Sequence, residues 1–246
     1  MKSIQQKLRK ISIGVFILIA GGVLLSACQK NDNDNIDIPA AALMAFNLSP
    51  DKEAIGVNLS GNSISPTPLN YTAFTGRYIN IYPGNRTIDA YDYFSRVGFA
   101  SSTFDFEQDK YYSLFVVGAD TVFNNIVVED NFDGLSGSNG KAYLRFVNAI
   151  PDSSKPVLTA TAAGQQLVNE PRDYASVSAF KEVTPGKVAI NFSNNGNINV
   201  SREIDVQEKK AYTVLLLGKP GSTDSDKSIQ IRFIENGTLS DSTAAN

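Results

Sequence analysis

The 246-residue chain contains no histidine, no tryptophan and one cysteine, Cys28. Without histidine, Ser-His-Asp and Cys-His catalysis are closed to it, as are zinc and iron sites built on imidazole. A lone cysteine cannot form an intramolecular disulfide, so stability must come from buried cores. About 200 residues beyond that cysteine are enough for two ordinary ones. After the first thirty residues, no segment sustains a 3.6-residue apolar period over ten positions, which argues against amphipathic helices.

What is present begins with Lys2, Lys7, Arg9 and Lys10, followed by an uncharged run over residues 11–27. A basic start, an apolar segment and small residues are the parts of an export signal. The run ends in Leu25-Ser26-Ala27-Cys28. This resembles a bacterial lipobox, which is cut before the cysteine and acylated on its thiol and new amino group. The alternative is an uncleaved transmembrane helix, but seventeen residues lie at the short limit for spanning and Gly21-Gly22 weakens a helix. Two or more acyl chains, at ~0.8 kcal/mol per buried methylene, give stable anchoring. The expectation is a signal peptide over 1–27 and a membrane partner reached through lipid on Cys28. Without the four leader cations, 18 basic residues face 25 acids, a formal charge of −7. That argues against nucleic-acid partners.

Residues 28–40 are rich in Asn and Asp and bury too little apolar surface to order themselves, so they read as a disordered tether. They are not an EF-hand loop. Counted from Asp32, the sixth and twelfth positions are Asp37 and Leu43 rather than Gly and Glu. Lys30, Asp32 and Asp34 resemble the lysine-plus-acid export signal of Bacteroidetes surface lipoproteins, and a solvated spacer is the other reading. The location expected is the outer membrane, with surface and periplasmic orientations both open.

The rest of the chain is an internal repeat. Residues 104–118 and 204–218 align without a gap, and share Asp105/Asp205, Lys110/Lys210, Tyr112/Tyr212 and Gly118/Gly218. Each reads as an alternating strand, a polar turn and an apolar strand closed by Gly. Ala42–Asp51 parallels Ala142–Asp152 with one residue inserted, and Pro83-Gly84 parallels Pro185-Gly186. The expected organisation is a first copy over 41–131, a Gly/Ser-rich linker over 132–140, a second copy over 141–237 and a tail over 238–246. Phe132 and Leu135 could tack the linker onto a neighbouring domain.

Short alternating runs every 8–12 residues predict all-β copies, two tandem immunoglobulin-like antiparallel β-sandwiches. The clearest hairpin is 188–192 and 198–200, joined by Asn194-Asn195-Gly196-Asn197. The inter-sheet disulfide and buried Trp of true immunoglobulin domains are missing. Tyr112 and Tyr212 each follow a polar turn and open an apolar strand. That is the position of a tyrosine corner, a structural role in which the hydroxyl bonds upstream backbone.

The stretch Arg145-Phe146-Val147-Asn148-Ala149-Ile150-Pro151-Asp152-Ser153 resembles the opening of the domain of unknown function (DUF) 4397 family. Pro185-Gly186 and Lys210-Ala211-Tyr212 through Gly218 are similar to its later motifs. Ile150 replaces the usual Ser, and the first copy keeps Asn47-Leu48-Ser49-Pro50-Asp51. The resemblance implies β-sandwich envelope lipoproteins and supplies no catalytic residues.

Candidate chemistry is thin. Ser49-x-x-Lys52 and Ser178-x-x-Lys181 lie in turn and strand context, whereas that motif needs a helical turn. Asp224 and Asp226 are too few for a calcium site. No metal site and no cofactor is expected. Asp120-Thr121-Val122 and Asp241-Ser242-Thr243 resemble an O-glycosylation acceptor pattern of exported Bacteroidetes proteins. Tyr71, Phe74, Tyr78, Tyr82, Tyr91, Tyr93, Phe94 and Phe99 crowd the first copy. A ligand surface, if the chain has one, is expected around Tyr82, Tyr91 and Tyr93, with sandwich core as the competing use. The function expected is a non-enzymatic structural or interaction module, with an envelope or extracellular protein or a glycan as partner. The alternative is a surface glycan-binding lipoprotein accessory to a transporter.

Overall fold

The computed structural model describes residues 38–152 and 154–240, so Leu25, Ser26, Ala27, Cys28, Lys30, Asp32, Asp34 and Ser242 lie outside the described residues. The first copy runs β1 (Ala41–Asn47), β2 (Ala54–Leu59), β3 (Asn62–Ser63), β4 (Leu69–Asn70), β5 (Ile79–Ile81), β6 (Gly84–Asp92), β7 (Gly98–Phe106), β8 (Tyr111–Ala119) and β9 (Val122–Glu129). The second runs β10 (Ala142–Asn148), β11 (Val157–Ala162), β12 (Gln165–Pro171), β13 (Lys181–Val183), β14 (Gly186–Ser193), β15 (Asn199–Val206), β16 (Lys210–Leu217) and β17 (Gln230–Thr238). Each copy is a pair of sheets. The first has β5-β1-β8-β9 against β3-β2-β6-β7, with β4 added to β2. The second has β13-β10-β16-β17 against β12-β11-β14-β15. The expected all-β sandwiches are present, and the hairpin joins β14 to β15 with Ser193 opposite Asn199 and Asn195 at φ 57°.

Pairing is antiparallel except at one place in each copy. β1 lies parallel to β8, and β10 lies parallel to β16. These four strands carry near-continuous apolar runs instead of an alternating pattern, the composition of strands covered on both faces. The two faces go to different cores. Leu43, Ala45, Leu114 and Val116 point into the first sandwich. Leu144, Phe146, Val214 and Leu216 point into the second. Their neighbours Met44, Phe46, Phe115 and Val117 meet Val147, Leu215 and Leu217 in a third core between the copies. Burying each such side chain contributes about 1.5–3 kcal/mol. The four sheets therefore stack in series, and the central two bury both faces. Two cores were expected from chain length, and the third is the larger departure from the sequence reading.

Pairing register also removes the inserted residue expected between the repeats. Leu43 opposes Tyr112 as Leu144 opposes Tyr212, so Ala41–Asp51 matches Ala142–Asp152 without a gap. By the same register Met44 corresponds to Arg145, Ser113 to Thr213, and Tyr78 to Phe180. Asp130 corresponds to Asn236, each following the paired residues Glu129 and Glu235.

These non-identical counterparts form a closed polar ring inside the third core. Arg145 donates through Nη1 to Asp130 Oδ1, through Nη2 to Ser113 Oγ (2.7 Å) and through Nε to Thr213 Oγ1 (2.7 Å). Thr213 donates to Asn236 Oδ1 (2.6 Å), Asn236 Nδ2 to the Tyr78 hydroxyl (3.2 Å), and Tyr78 to Asp130 Oδ2. Ser113 Oγ also donates to Asp130 Oδ2 (2.7 Å). The Arg145 guanidinium lies 4.7 Å from the Phe180 ring centre. Burial, and then the Asp130 charge, raise the Tyr78 hydroxyl above its usual range and keep it a neutral donor. Every charged atom in the ring has a partner, which a buried ion pair requires. Residues 132–140 lie beside it. Phe132 packs on Tyr78, Tyr111 and Phe180, and Ser136 donates its N–H to the Tyr143 hydroxyl (2.9 Å).

Candidate interaction surface

The parallel strands give the stacked sheets two distinct ends. At one, β1 and β8 begin, β5 and β9 finish, and Leu239 donates its N–H to Lys209 O (2.7 Å). Both ends of the described chain lie there, and we call it the terminal pole. The other, the loop pole, collects the segments after β1, β6, β8, β10, β14 and β16.

The repeated motifs organise the loop pole. Asn47 Nδ2 donates to Lys52 O (2.9 Å) and Leu69 O (3.0 Å), while its Oδ1 accepts from Ser49 N (3.1 Å). Asn148 does the same with Arg172 O (3.0 Å) and Ile150 N (3.1 Å). Gly118 and Gly218 end β8 and β16 at φ 132° and 119°, where a Cβ would lie 2.3 Å and 2.5 Å from the carbonyl oxygens of Val122 and Ser228. Tyr112 and Tyr212, near the terminal pole, accept backbone N–H bonds through their hydroxyls from Glu107 (3.0 Å) and Gln207 (3.1 Å). Ser49 Oγ donates to Val116 O (3.2 Å), and Lys52 Nζ sits over the Phe99 and Phe123 rings at 4.6 and 4.8 Å. Ser178 Oγ donates to Ala179 O (2.9 Å). Neither pair forms a nucleophile and base.

The aromatic surface expected around Tyr82, Tyr91 and Tyr93 is not assembled. Tyr82, 65% exposed, lies at the terminal pole after β5, whereas Tyr91 and Tyr93 lie at the far end of β6. Tyr91 is only 9% exposed. Its ring covers Gly56 on the facing strand so closely that a Cβ there would lie 2.2 Å from it. The exposed ring at the loop pole is Phe94, at 74%. A fixed turn holds it out. Asp92 Oδ1 accepts from the backbone of Phe94 (3.2 Å) and Ser95 (2.9 Å) and from Ser95 Oγ (2.9 Å). These bonds, the Ser95 N–H foremost, hold the Asp92 carboxyl below its usual range. Phe94 meets Tyr93 edge-on at 5.8 Å, and Arg96 lies 4.7 Å from the Tyr93 ring centre. Val97 and Val122, at 64% and 65% exposure, are further apolar groups at this pole. The exposed Thr121 sits at the β8–β9 turn.

Two clefts open at the loop pole, one on each side of the boundary between the copies. The first, about 560 Å³, joins Pro50, Glu53, Tyr71 and Phe94 of the first copy to Asp224, Asp226, Lys227 and Arg232 of the second. The second, about 580 Å³, joins Pro151, Asp152, Lys155, Asp173 and Tyr174 to residues 119–122. They are counterparts, because Tyr71 and Tyr174 occupy equivalent positions before residues that bond Asn47 O and Asn148 O. The buried Tyr174 hydroxyl has no hydrogen-bond partner among the described residues. Burial pushes that of Tyr71 up to about 12. Between the clefts, Lys219 Nζ bridges Asp51 (2.7 Å) and Asp120 (2.8 Å). Burial opposes ionisation of Asp51, but the Lys219 hydrogen bond and the Asp120 N–H outweigh it and hold the carboxyl below its usual range.

The shared hydrogen-bonded motifs mark both copies as one domain type. The family profile of DUF4397, a domain of unknown function, matches residues 41–156 and again 142–246. The chain belongs to the DUF4397 family. The family description names no reaction. No curated protein matches the chain. Two solved structures are similar to it, both candidate cell adhesion proteins. The one from Bacteroides eggerthii is 8% identical, with 82% of this chain and 96% of the other covered and a TM-score of 0.26. The one from Bacteroides uniformis is 9% identical, with 82% and 98% covered and a TM-score of 0.21. Such TM-scores carry no argument about role.

Proposed function

We propose that this chain is a lipid-anchored, non-enzymatic interaction module of the bacterial outer membrane, which contacts its partner through the loop pole. The observation that carries this reading is the separation of ends. Ala41, the start of β1 and the first residue after the 28–40 segment read as a tether, lies at the terminal pole, while Phe94, Val97 and Val122 stand exposed at the opposite one. A module tethered at one end meets a partner with the other. Ser49 and Lys52, at the Ser-x-x-Lys motif of this pole, are held apart, with Ser49 Oγ donating to Val116 O and Lys52 over the Phe99 ring. The anchor supports an envelope location, and Lys30 with Asp32 and Asp34 supports surface display.

The test places a photo-crosslinking amino acid at Phe94 or at Tyr82 in living cells. Adducts with an envelope or extracellular component from position 94, and none from 82, are expected. Adducts from 82 alone would overturn the proposal. Protease shaving of intact cells, with a periplasmic control, reads the orientation. Loss of the full-length band with the control intact supports display on the surface.

A further inference from the structure

The two copies are alike where they build the fold, so the places where they differ are informative. Two differences meet at one point. The β8–β9 connection is a tight turn at Asp120 and Thr121, whereas the β16–β17 connection runs from Gly218 to Ile229 and includes a single 3-10 turn, Ser225–Lys227. The β6–β7 turn carries Phe94, whereas its counterpart between β14 and β15 is the polar run Asn194–Asn197, closed by the buried Ile198. The long loop and the Phe94 turn line the same cleft. The counterpart cleft has neither.

The chemistry of the first cleft is specific. Phe94 offers a ring face beside polar groups. Glu53, Asp224 and Asp226 are acceptors, and Lys227 and Arg232 are donors. Asp224 is partly committed, since its Oδ1 accepts from Asp226 N (3.0 Å) and its Oδ2 lies 4.0 Å from Lys227 Nζ, and Arg232 Nε donates to Gln230 Oε1 (2.8 Å). Three carboxylates against two cations leave the lining one charge negative, which disfavours anionic ligands. Dense hydroxyl donors and acceptors with an apolar C–H face are the complement of this lining. The volume lies in the range of ligand pockets, and the fixed Asp92 turn lowers the cost of ordering Phe94 on binding.

We infer that the cleft between Phe94 and the Asp224–Lys227 loop is a binding site for a neutral saccharide chain. The inference rests on the interaction-module reading and names the partner class. The test titrates the full chain in detergent with a panel of neutral oligosaccharides (manno-, gluco-, galacto- and N-acetylglucosamine series), beside heparin, polygalacturonate and a lysine-rich peptide. At least one neutral oligosaccharide should bind. Phe94→Ala and Asp226→Asn, both at exposed positions, should each weaken it about tenfold or more. Lys187→Ala, on the outer face of β14, should leave binding unchanged. Absence of binding to every neutral series, unchanged affinity in Phe94→Ala, or preference for heparin, polygalacturonate or the peptide would overturn the saccharide site. Protein adducts from position 94 in cells with no saccharide binding would leave the interaction module standing and remove only this inference.

Discussion

Removing Asp130 should unfold the joint between the copies. The Asp130 and Arg145 side chains are 0% and 2% exposed. In Asp130→Ala the guanidinium keeps the Ser113 and Thr213 oxygens and the Phe180 and Phe115 rings, with no counter-charge. Breaking a buried pair by deleting one partner costs about 3–5 kcal/mol. In a chain of this size each kcal/mol lowers Tm by roughly 2–4 °C, so a fall of roughly 6–20 °C is expected. The internal repeat supplies the control. Arg145 and Asp130 correspond to Met44 and Asn236, so Arg145→Met combined with Asp130→Asn installs residues the fold already accepts at equivalent positions. In a double-mutant cycle built from Arg145→Met and Asp130→Asn, the double variant should be about 2 kcal/mol more stable than the sum of the two single losses implies. Thermal and urea unfolding followed by circular dichroism give both quantities. A loss under about 1 kcal/mol for Asp130→Ala, or single changes that simply add, would refute the account of the ring.

Three other outcomes follow from the geometry. Asp51 has a lowered folded-state pKa, so its contribution is present above the ordinary carboxylate value and is lost as pH falls through the folded value. Asp51→Asn should therefore be less stable at neutral pH and lose less stability than the parent on acidification below about pH 4, as read by urea midpoints. Gly218→Ala sets a Cβ 2.5 Å from the Ser228 carbonyl oxygen at a positive φ and should cost at least about 1–3 kcal/mol in chemical denaturation, more than Gly221→Ala, which shares the positive φ but meets no atom within 4 Å. Tyr212→Phe removes the acceptor for the Gln207 N–H and should cost about 0.5–1.5 kcal/mol by the same measurement.

The sandwiches were legible in the sequence because alternation and turn residues act locally. Pro185-Gly186 marks the start of β14, and Asn194–Asn197 turns the chain between β14 and β15. The third core was signalled too, by runs such as Val214-Leu215-Leu216-Leu217, where every residue is buried instead of every second one. That pattern means two covered faces, and it is the mark of copies that share a core instead of two beads on a linker. Arg145 within such a run pointed to a buried partner, but Asp130 lies in the other copy and no spacing rule connects them. The candidate site was the least legible part. Tyr82 and Tyr93 are eleven positions apart in sequence, and the strand between them carries them to opposite poles. Phe94 and Asp226 are distant in sequence, and only the stacking of the copies brings them to one cleft.

The ring between the copies also fixes how this protein can evolve. Its two halves are complementary and cannot be exchanged, because Asp130 and Tyr78 come from the first copy and Arg145 and Thr213 from the second. A recombination event that duplicated the second copy would set two arginines against each other with no carboxylate, and one that duplicated the first would strand two aspartates. Each sandwich has also spent one face on its partner, so a third unit would find no matching face to join. Repeats that remain independent can be gained and lost freely. Here the pair has become the unit of inheritance, and selection acting on either half is felt through the other.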